Sequence, residues 1–579
     1  MKNRIHFIFT LLLLASLLLA SCDIFDDEDY DYDYDQEPAA EQSYSYDEEE
    51  DEDDYEPQPT RAPATSSGDI GGRPGVIVYD FGFRPDQHGF SFENYGDDID
   101  VTNLTADEMR RLFGDEVCSR ISGDQCTLTP PANQWMKQIN EAMGGGHCEG
   151  MAVLSLMMYT GQISPTEFGG NYASELSLEN EDLQREIAYW WATQATYPAA
   201  DRTIRGTPME IMAKIEEMDA RGETYTIGIY KEDFSGGHAI TPFGIKSVED
   251  GLYTILVYDN NYPGEVRELL IDERDNSWAY EAAINPQVES EIYAGDAYTQ
   301  TLDLTPTSPR MVTQECTFCA NGYGSLPGAK LASPAQAHNQ IFLDGKGRIL
   351  ITDDEGNRLG YVDGKIVNEI PGAFFTAYRM GFVQEAPDPI YHIPAGLDVI
   401  VTIDGSTLDA NSETNLVMIG PGFFIGIEEI ILEPGQVDTV HFFPDDQMII
   451  YETDADESPF IVIGIEDRNG ADYYFEVQGM DMLGGGEITV WLDSKEGDLL
   501  INTEKLRNEG DFAFYMTRIT DELEETFYAE GILLRAGAIV YINYADWSDA
   551  DPEGLYFGID LDGDGEIDEE YVVDDSWEE

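Results

Sequence analysis

The chain has 579 residues, 42% hydrophobic and 11% aromatic, which is enough for folded cores and for roughly three or four domains of ordinary size. Its 31 basic and 115 acidic side chains give a formal net charge of -84. Such a surface repels phosphate backbones and anionic lipids, so it argues against nucleic acid as a partner and makes soluble cations, calcium above all, the natural ligands.

The amino terminus, "MKNRIHFIFTLLLLASLLLASC", sets Lys2 and Arg4 before an apolar run and small residues directly before Cys22. This pattern predicts a secretory signal peptide over residues 1–21, too short and wrongly flanked for a comfortable membrane span. Leu19-Ala20-Ser21-Cys22 resembles the lipobox of bacterial lipoproteins. The resemblance implies cleavage before Cys22, acylation of that cysteine, and an extracytoplasmic protein held at a bacterial cell membrane by its lipid anchor. Residues 22–75 then read as an acidic, tyrosine-rich stalk and linker. "DDEDYDYDYD" and "DEEEDEDDYE" carry no basic residue, so self-repulsion keeps them extended and disordered, and "PQPTRAPATSSGDIGGRPG" continues the spacer.

From Val76 the chain has globular patterning, and residues 76–302 are expected to form one α+β domain. "LTADEMRRLFGDEV" offers Thr105 as an N-cap with Glu108 three residues on. "PANQWMKQINEAM" reads as a second helix and "CEGMAVLSLMMY" as a third. A longer one lies around "LQREIAYWWATQ", and "TPMEIMAKIEEMDARG" makes one more. The period then changes: "TYTIGIY", "HAITPFGI", "LYTILVYD" and "VRELLI" are short strands between Gly, Asp and Asn turns. Helices first and strands afterwards is the order of a segregated α+β domain. Residues 303–338 read as a linker carrying a C-T-F-C pair. Beyond them, runs such as "GLDVIVTIDG", "FIVIGIEDRNGADYYFEV" and "GAIVYINY" predict mainly-β, sandwich-like carboxy-terminal modules, one over 339–450 and one over 451–579.

Export lets neighbouring thiols pair. Cys118 and Cys126 flank a turn, and Cys316 and Cys319 are three residues apart, so each couple is read as a disulfide. Half a zinc site is the alternative for the second couple, but no other pair or histidine cluster is at hand to complete four ligands. Cys148 is left over, in "GGGHCEGMAVLSLMMY". It stands where a helix should start, and the unpaired N–H groups of a first helical turn depress a thiol pKa. A cysteine nucleophile needs a base. His147 is adjacent along the helix and points elsewhere. His238, in "SGGHAITPFGI", opens a strand after a Gly-Gly turn, and the next strand ends in "VYDNNYPG", where Asp259 or Asn260 can orient an imidazole.

Gly146-His147-Cys148 opening a helix, Gly237-His238-Ala239 opening a strand and Asp259-Asn260 closing the next one resemble the papain-like cysteine peptidases, including the leader peptidases that cut after double glycine. The resemblance spans about residues 130–275. It implies Cys148 as nucleophile, His238 as general base and acid, and Asp259 or Asn260 as the orienting residue, acting on a peptide or isopeptide carbonyl of a peptide or protein substrate. Ala142 stands where papain has its oxyanion-hole glutamine, so Gln138 or Gln134 would have to supply that donor. A transglutaminase-like fold shares the Cys, His, Asp order, which leaves hydrolysis and acyl transfer both open. The expected whole is an α+β papain-like domain followed by mainly-β modules: a surface lipoprotein carrying a thiol hydrolase. The alternative is a surface binding or adhesion lipoprotein with a degenerate, non-catalytic papain-like fold.

A second chemical signal lies at the far end, in "DLDGDGEIDEEY". Asp560, Asp562 and Asp564 alternate, Gly565 permits the sharp turn, and Glu566 and Asp568 follow. This pattern resembles an EF-hand loop and predicts one bound calcium, although Tyr571 holds the twelfth position, normally a bidentate acid.

Overall fold

The computed structural model describes residues 72–575, apart from 98, 284–289, 321–336, 382–386, 467–469, 507 and 548–553. The signal peptide, Cys22 and the stalk up to residue 71 lie outside the described residues. No described helix is long and apolar enough to cross a membrane.

The five longer helices are α1 (Ala106–Phe113), α2 (Pro130–Met143), α3 (Cys148–Thr160), α4 (Glu181–Ala192) and α5 (Pro208–Glu216). Their starts follow capping chemistry. Thr105 and Glu108 close a capping box on α1, Thr129 caps α2 ahead of two prolines, the Asn180 side chain accepts the first N–H groups of α4, and Thr207 with Glu210 boxes α5. Helix α3 differs: every residue from Cys148 to Met158 is buried, as expected of a helix that is apolar nearly all round.

A nine-stranded antiparallel sheet supports these helices. Its strands are β1 (Val76–Asp80), β4 (Ile204–Arg205), β5 (Tyr225–Tyr230), β6 (Gly237–Glu249), β7 (Leu252–Tyr258), β8 (Arg267–Asp272), β9 (Ser277–Ala282), β10 (Glu291–Asp296) and β11 (Leu302–Pro306); β2 (Cys118–Ser122) and β3 (Gln125–Leu128) form a separate hairpin. The order is β10-β9-β8-β7-β6-β5-β11-β4, with β1 beside β6. Residues 302–306 therefore belong to this sheet, between β5 and β4, although the sequence reading placed residue 303 onward in a linker. The following segment is also packed: Arg310, Phe318 and Cys319 are buried, and Phe318 stacks on Trp135. Short range alone made this stretch look like a connection, because its partners, β5 and Trp135 among them, lie far away in the chain.

Residues 338–573 form two further antiparallel sheets, one of nine strands from Phe374–Thr376 to Glu524–Leu534 and one of eleven from Lys365–Asn368 to Glu569–Val573. They face each other across one apolar core that includes Ile341, Val401, Phe475, Val490 and Phe557. The boundary expected at residue 450 has no counterpart in this arrangement. Strand Met448–Thr453 pairs on both sides, and Phe423–Leu432 pairs with Phe460–Ile465, so both sheets run on without a break.

The other face of the nine-stranded sandwich sheet is not solvated. Helix α2 lies on it: Trp135 donates to Gln340 at 3.1 Å, Lys137 pairs with Glu428 at 2.7 Å, and Phe342, Val417, Phe424 and Val462 share a core with the helical region. This common core brings a loop of the sandwich, around Tyr378–Gly381, to the start of α3.

Candidate active site

Cys148 is the first residue of α3, His238 is the second residue of β6, and Asp259 directly follows β7, the strand paired with β6. His238 Nε2 lies 2.7 Å from Asp259 Oδ1. Both side chains are fully buried. Asp259 is held in turn, accepting from the Asn261 N–H at 2.9 Å and from the Tyr280 hydroxyl at 2.5 Å. Burial pushes its carboxyl up, but the His238 charge and these donors outweigh burial and leave it below the usual carboxylate range. Asp259 fixes the ring through Nε2, which leaves Nδ1 as the nitrogen on the side away from the carboxylate.

Asp259 and Asn260, interchangeable in the sequence, part company in the structure. Asn260 does not orient the histidine; its amide donates to the Cys148 carbonyl at 2.9 Å and to the Ala239 carbonyl at 3.5 Å, tying the start of α3 to β6. The Cys148 sulfur packs with Ala152 and Ala239 and accepts the Ala239 N–H at 3.3 Å, one residue beyond His238. It is the free cysteine among the described residues; Cys118 is bonded to Cys126 and Cys316 to Cys319. Glu116 lies beside the latter pair, but sulfurs joined to each other are not available as metal ligands.

The sulfur has no access to solvent. Burial pushes the Cys148 thiol well above its ordinary value, with the Glu149 and Asp259 carboxylates adding to the rise and the Ala239 N–H and Arg379 opposing it. In this closed arrangement the group is a thiol. His147, the nearest histidine in sequence, bridges the Tyr95 carbonyl and the Asn103 side chain at 2.8 Å each and stacks on Tyr95. Burial drives its pKa down to about 4. It is a structural wedge.

Gln138 is not brought to the cysteine. It lies on α2 and donates to Glu141 at 3.2 Å. Gln134, the other candidate oxyanion donor, faces Glu428 at 3.2 Å. A further amide beside the motif is Asn94, whose Oδ1 accepts the His147 N–H at 2.8 Å and whose Nδ2 donates to the Met380 carbonyl at 3.0 Å. Nothing in the local sequence around Asn94 marks it.

Behind Cys148 sits a set of buried ions that sequence reading missed. Glu149 pairs with Arg310 and, at 2.9 Å, with Arg379; Arg379 also reaches Asp303 at 2.7 Å and the Tyr230 hydroxyl at 2.7 Å. Two guanidinium groups and two carboxylates make the cluster neutral as a whole. The signal available in the sequence was Glu149 itself, a lone acid in an apolar helix; its partners come from distant segments.

At the carboxy terminus, Asp560, Asp562 and Asp564 offer carboxylate oxygens within 4.8 Å of one another. Asp560 closes a strand and accepts the N–H groups of Gly563 at 2.7 Å and Gly565 at 2.8 Å. Asp568 accepts the Leu561 N–H at 2.9 Å, and neither it nor the exposed Glu566 belongs to that converging group. Three convergent acids on a sharp turn fit the oxygen-rich coordination of calcium. No family model, curated protein or solved structure matches this chain.

Proposed function

We propose that the α+β region is a papain-like thiol hydrolase, or a related acyltransferase, acting on peptide or isopeptide bonds in a protein exported and lipid-anchored at a bacterial cell surface. The observation that carries the reading is the His238–Asp259 pair at 2.7 Å, on the strand whose Ala239 N–H holds the Cys148 sulfur. In the reaction, His238 Nδ1 takes the Cys148 proton and the sulfur attacks the substrate carbonyl carbon. The resulting oxyanion meets the Cys148 N–H at the start of α3. His238 returns the proton to the departing amine, leaving a thioester. Water, or an acceptor amine, then attacks the thioester while His238 takes its proton, and Cys148 leaves as the thiol.

Peptide and isopeptide profiling of the full chain tests this. Cys148→Ala should abolish turnover, and His238→Ala should lower it by about 10²–10⁴-fold, the usual worth of a general base. Absence of turnover on every substrate in the wild type would leave the second reading, a binding lipoprotein with a degenerate site. Complete burial of the sulfur favours that reading. Slow alkylation of Cys148 in a variant that exposes it, unaltered by His238→Ala, would select it. For the terminal loop we propose calcium held by Asp560, Asp562 and Asp564, where its charge would relieve the repulsion among the three acids.

A further inference from the structure

A segment of the β-sandwich, Tyr378–Gly381, lies against the glycines that precede Cys148 and His238. The main chain of Arg379 and Met380 is fully engaged by the other region. The Arg379 N–H donates to Gln194 Oε1 at 2.8 Å and its carbonyl accepts from Gln194 Nε2 at 3.5 Å. The Met380 N–H donates to the Gly237 carbonyl at 3.1 Å and its carbonyl accepts from Asn94 at 3.0 Å. Gly381 forms an antiparallel bridge with Gly237, the residue before His238. Reading a peptide through its main chain is how sheet edges take up an added strand.

The glycines of both motifs make room for it. A Cβ on Gly146 would lie 2.0 Å from the Met380 carbonyl oxygen, one on Gly145 2.3 Å from the Met380 sulfur, and one on Gly237 2.4 Å from the Tyr378 carbonyl oxygen. The side chain of Arg379 enters a fully enclosed pocket made by Glu149, Asp303 and Tyr230, while Trp191 stacks on Tyr378 with ring centroids 5.8 Å apart. With Arg310 already on Glu149, the two carboxylates leave one negative charge for the entering side chain, and a guanidinium matches it in charge and in fork geometry.

We propose that Tyr378–Gly381 is a built-in pseudosubstrate, and that the cleft it fills accepts, once vacated, an extended peptide bearing arginine at the position of Arg379. This deepens the hydrolase reading and rests on it for the word substrate; the binding itself does not. The wild type is then a closed state in exchange with a minor open one, and only the open one exposes Cys148.

The test uses the full chain. Gly381 sits at φ 142°, and a Cβ there would lie 2.6 Å from Asn94 Nδ2, so Gly381→Val should dislodge the segment. From a minor state of about 0.1–10%, alkylation of Cys148 by iodoacetamide should rise by about ten- to a thousandfold. Acetyl-Tyr-Arg-Met-Gly-amide should restore protection at concentrations at least about tenfold below those needed by the same peptide with alanine for arginine. A folded variant that alkylates at the wild-type rate, or two peptides of equal effect, overturns the proposal. Should Gly381→Val fail to fold, hydrogen exchange on the wild type decides. Cys148 alkylation that tracks opening of the Met380 and Gly381 amides supports the proposal; alkylation only on global unfolding overturns it. None of these readouts needs turnover, so a cleft that binds arginine peptides without cleaving them sinks the hydrolase reading alone.

Discussion

Glu149 and Asp564 are both carboxylates in a chain with 115 acidic residues, and they meet opposite fates. Glu149 is fully buried, and Arg310 and Arg379 pull its carboxyl below the ordinary range against the upward push of burial. Asp564 is exposed on a turn, its side chain accepting only a nearby N–H, that of Glu566 at 2.9 Å. A buried charge in low dielectric must be neutralised within the fold, whereas an exposed one can wait for a cation from solution. The first arrangement cements two regions together; the second keeps a site open to an ion.

Breaking the buried cluster should have the largest effect. Arg310→Ala leaves Glu149 with Arg379 as its remaining ionic partner and should cost about 3–5 kcal/mol in urea unfolding. The pair Glu149→Leu with Arg310→Met removes both charges and should regain most of that loss; equal destabilisation by the single and double variants would show that the cluster is not acting as an ion pair.

Acid acts next. His147 is held to a pKa of about 4 by burial, below its unfolded value of about 6.5. Between these values the unfolded chain binds more protons, so stability is present above pH ~6.5 and falls as pH drops toward ~4, by up to about 3 kcal/mol. His147→Gln should flatten that segment of the stability profile. Asp259, depressed below the carboxylate range, contributes above its unfolded pKa of about 3.9 and is lost only as pH falls further through its folded value; Asp259→Asn should remove this lower step and leave the upper one.

The exposed loop should give the smallest intrinsic effect. Asp562→Ala should change stability without calcium by less than about 0.5 kcal/mol. With calcium at a hundred times its Kd, the wild type should gain about 2.7 kcal/mol and the variant should gain none. Equal calorimetric heats for the two proteins would remove the calcium assignment.

Much of the helical region was legible because its signals are local. Thr105 with Glu108, Asn180 and Thr207 with Glu210 are caps whose partners lie within one turn, and the alternation in "TYTIGIY" or "LYTILVYD" belongs to single strands. Cys148, His238 and the couple Asp259 and Asn260 could be singled out from their positions at element starts and ends. Gln138 was misplaced because spacing along a helix does not say which face meets which neighbour. It faces Glu141 on the helix that covers the sandwich.

By itself, the sequence determined the elements, the pairing of near cysteines and the residues able to do chemistry, since each depends on neighbours a few positions away. Only the tertiary structure decided that the cysteine is closed off, that Asp259 rather than Asn260 takes the histidine, and that Arg379 of the sandwich completes the buried charge cluster. Those outcomes depend on which distant segments share a core, and on the rule that a charge taken out of water must find its opposite wherever the chain happens to bring one.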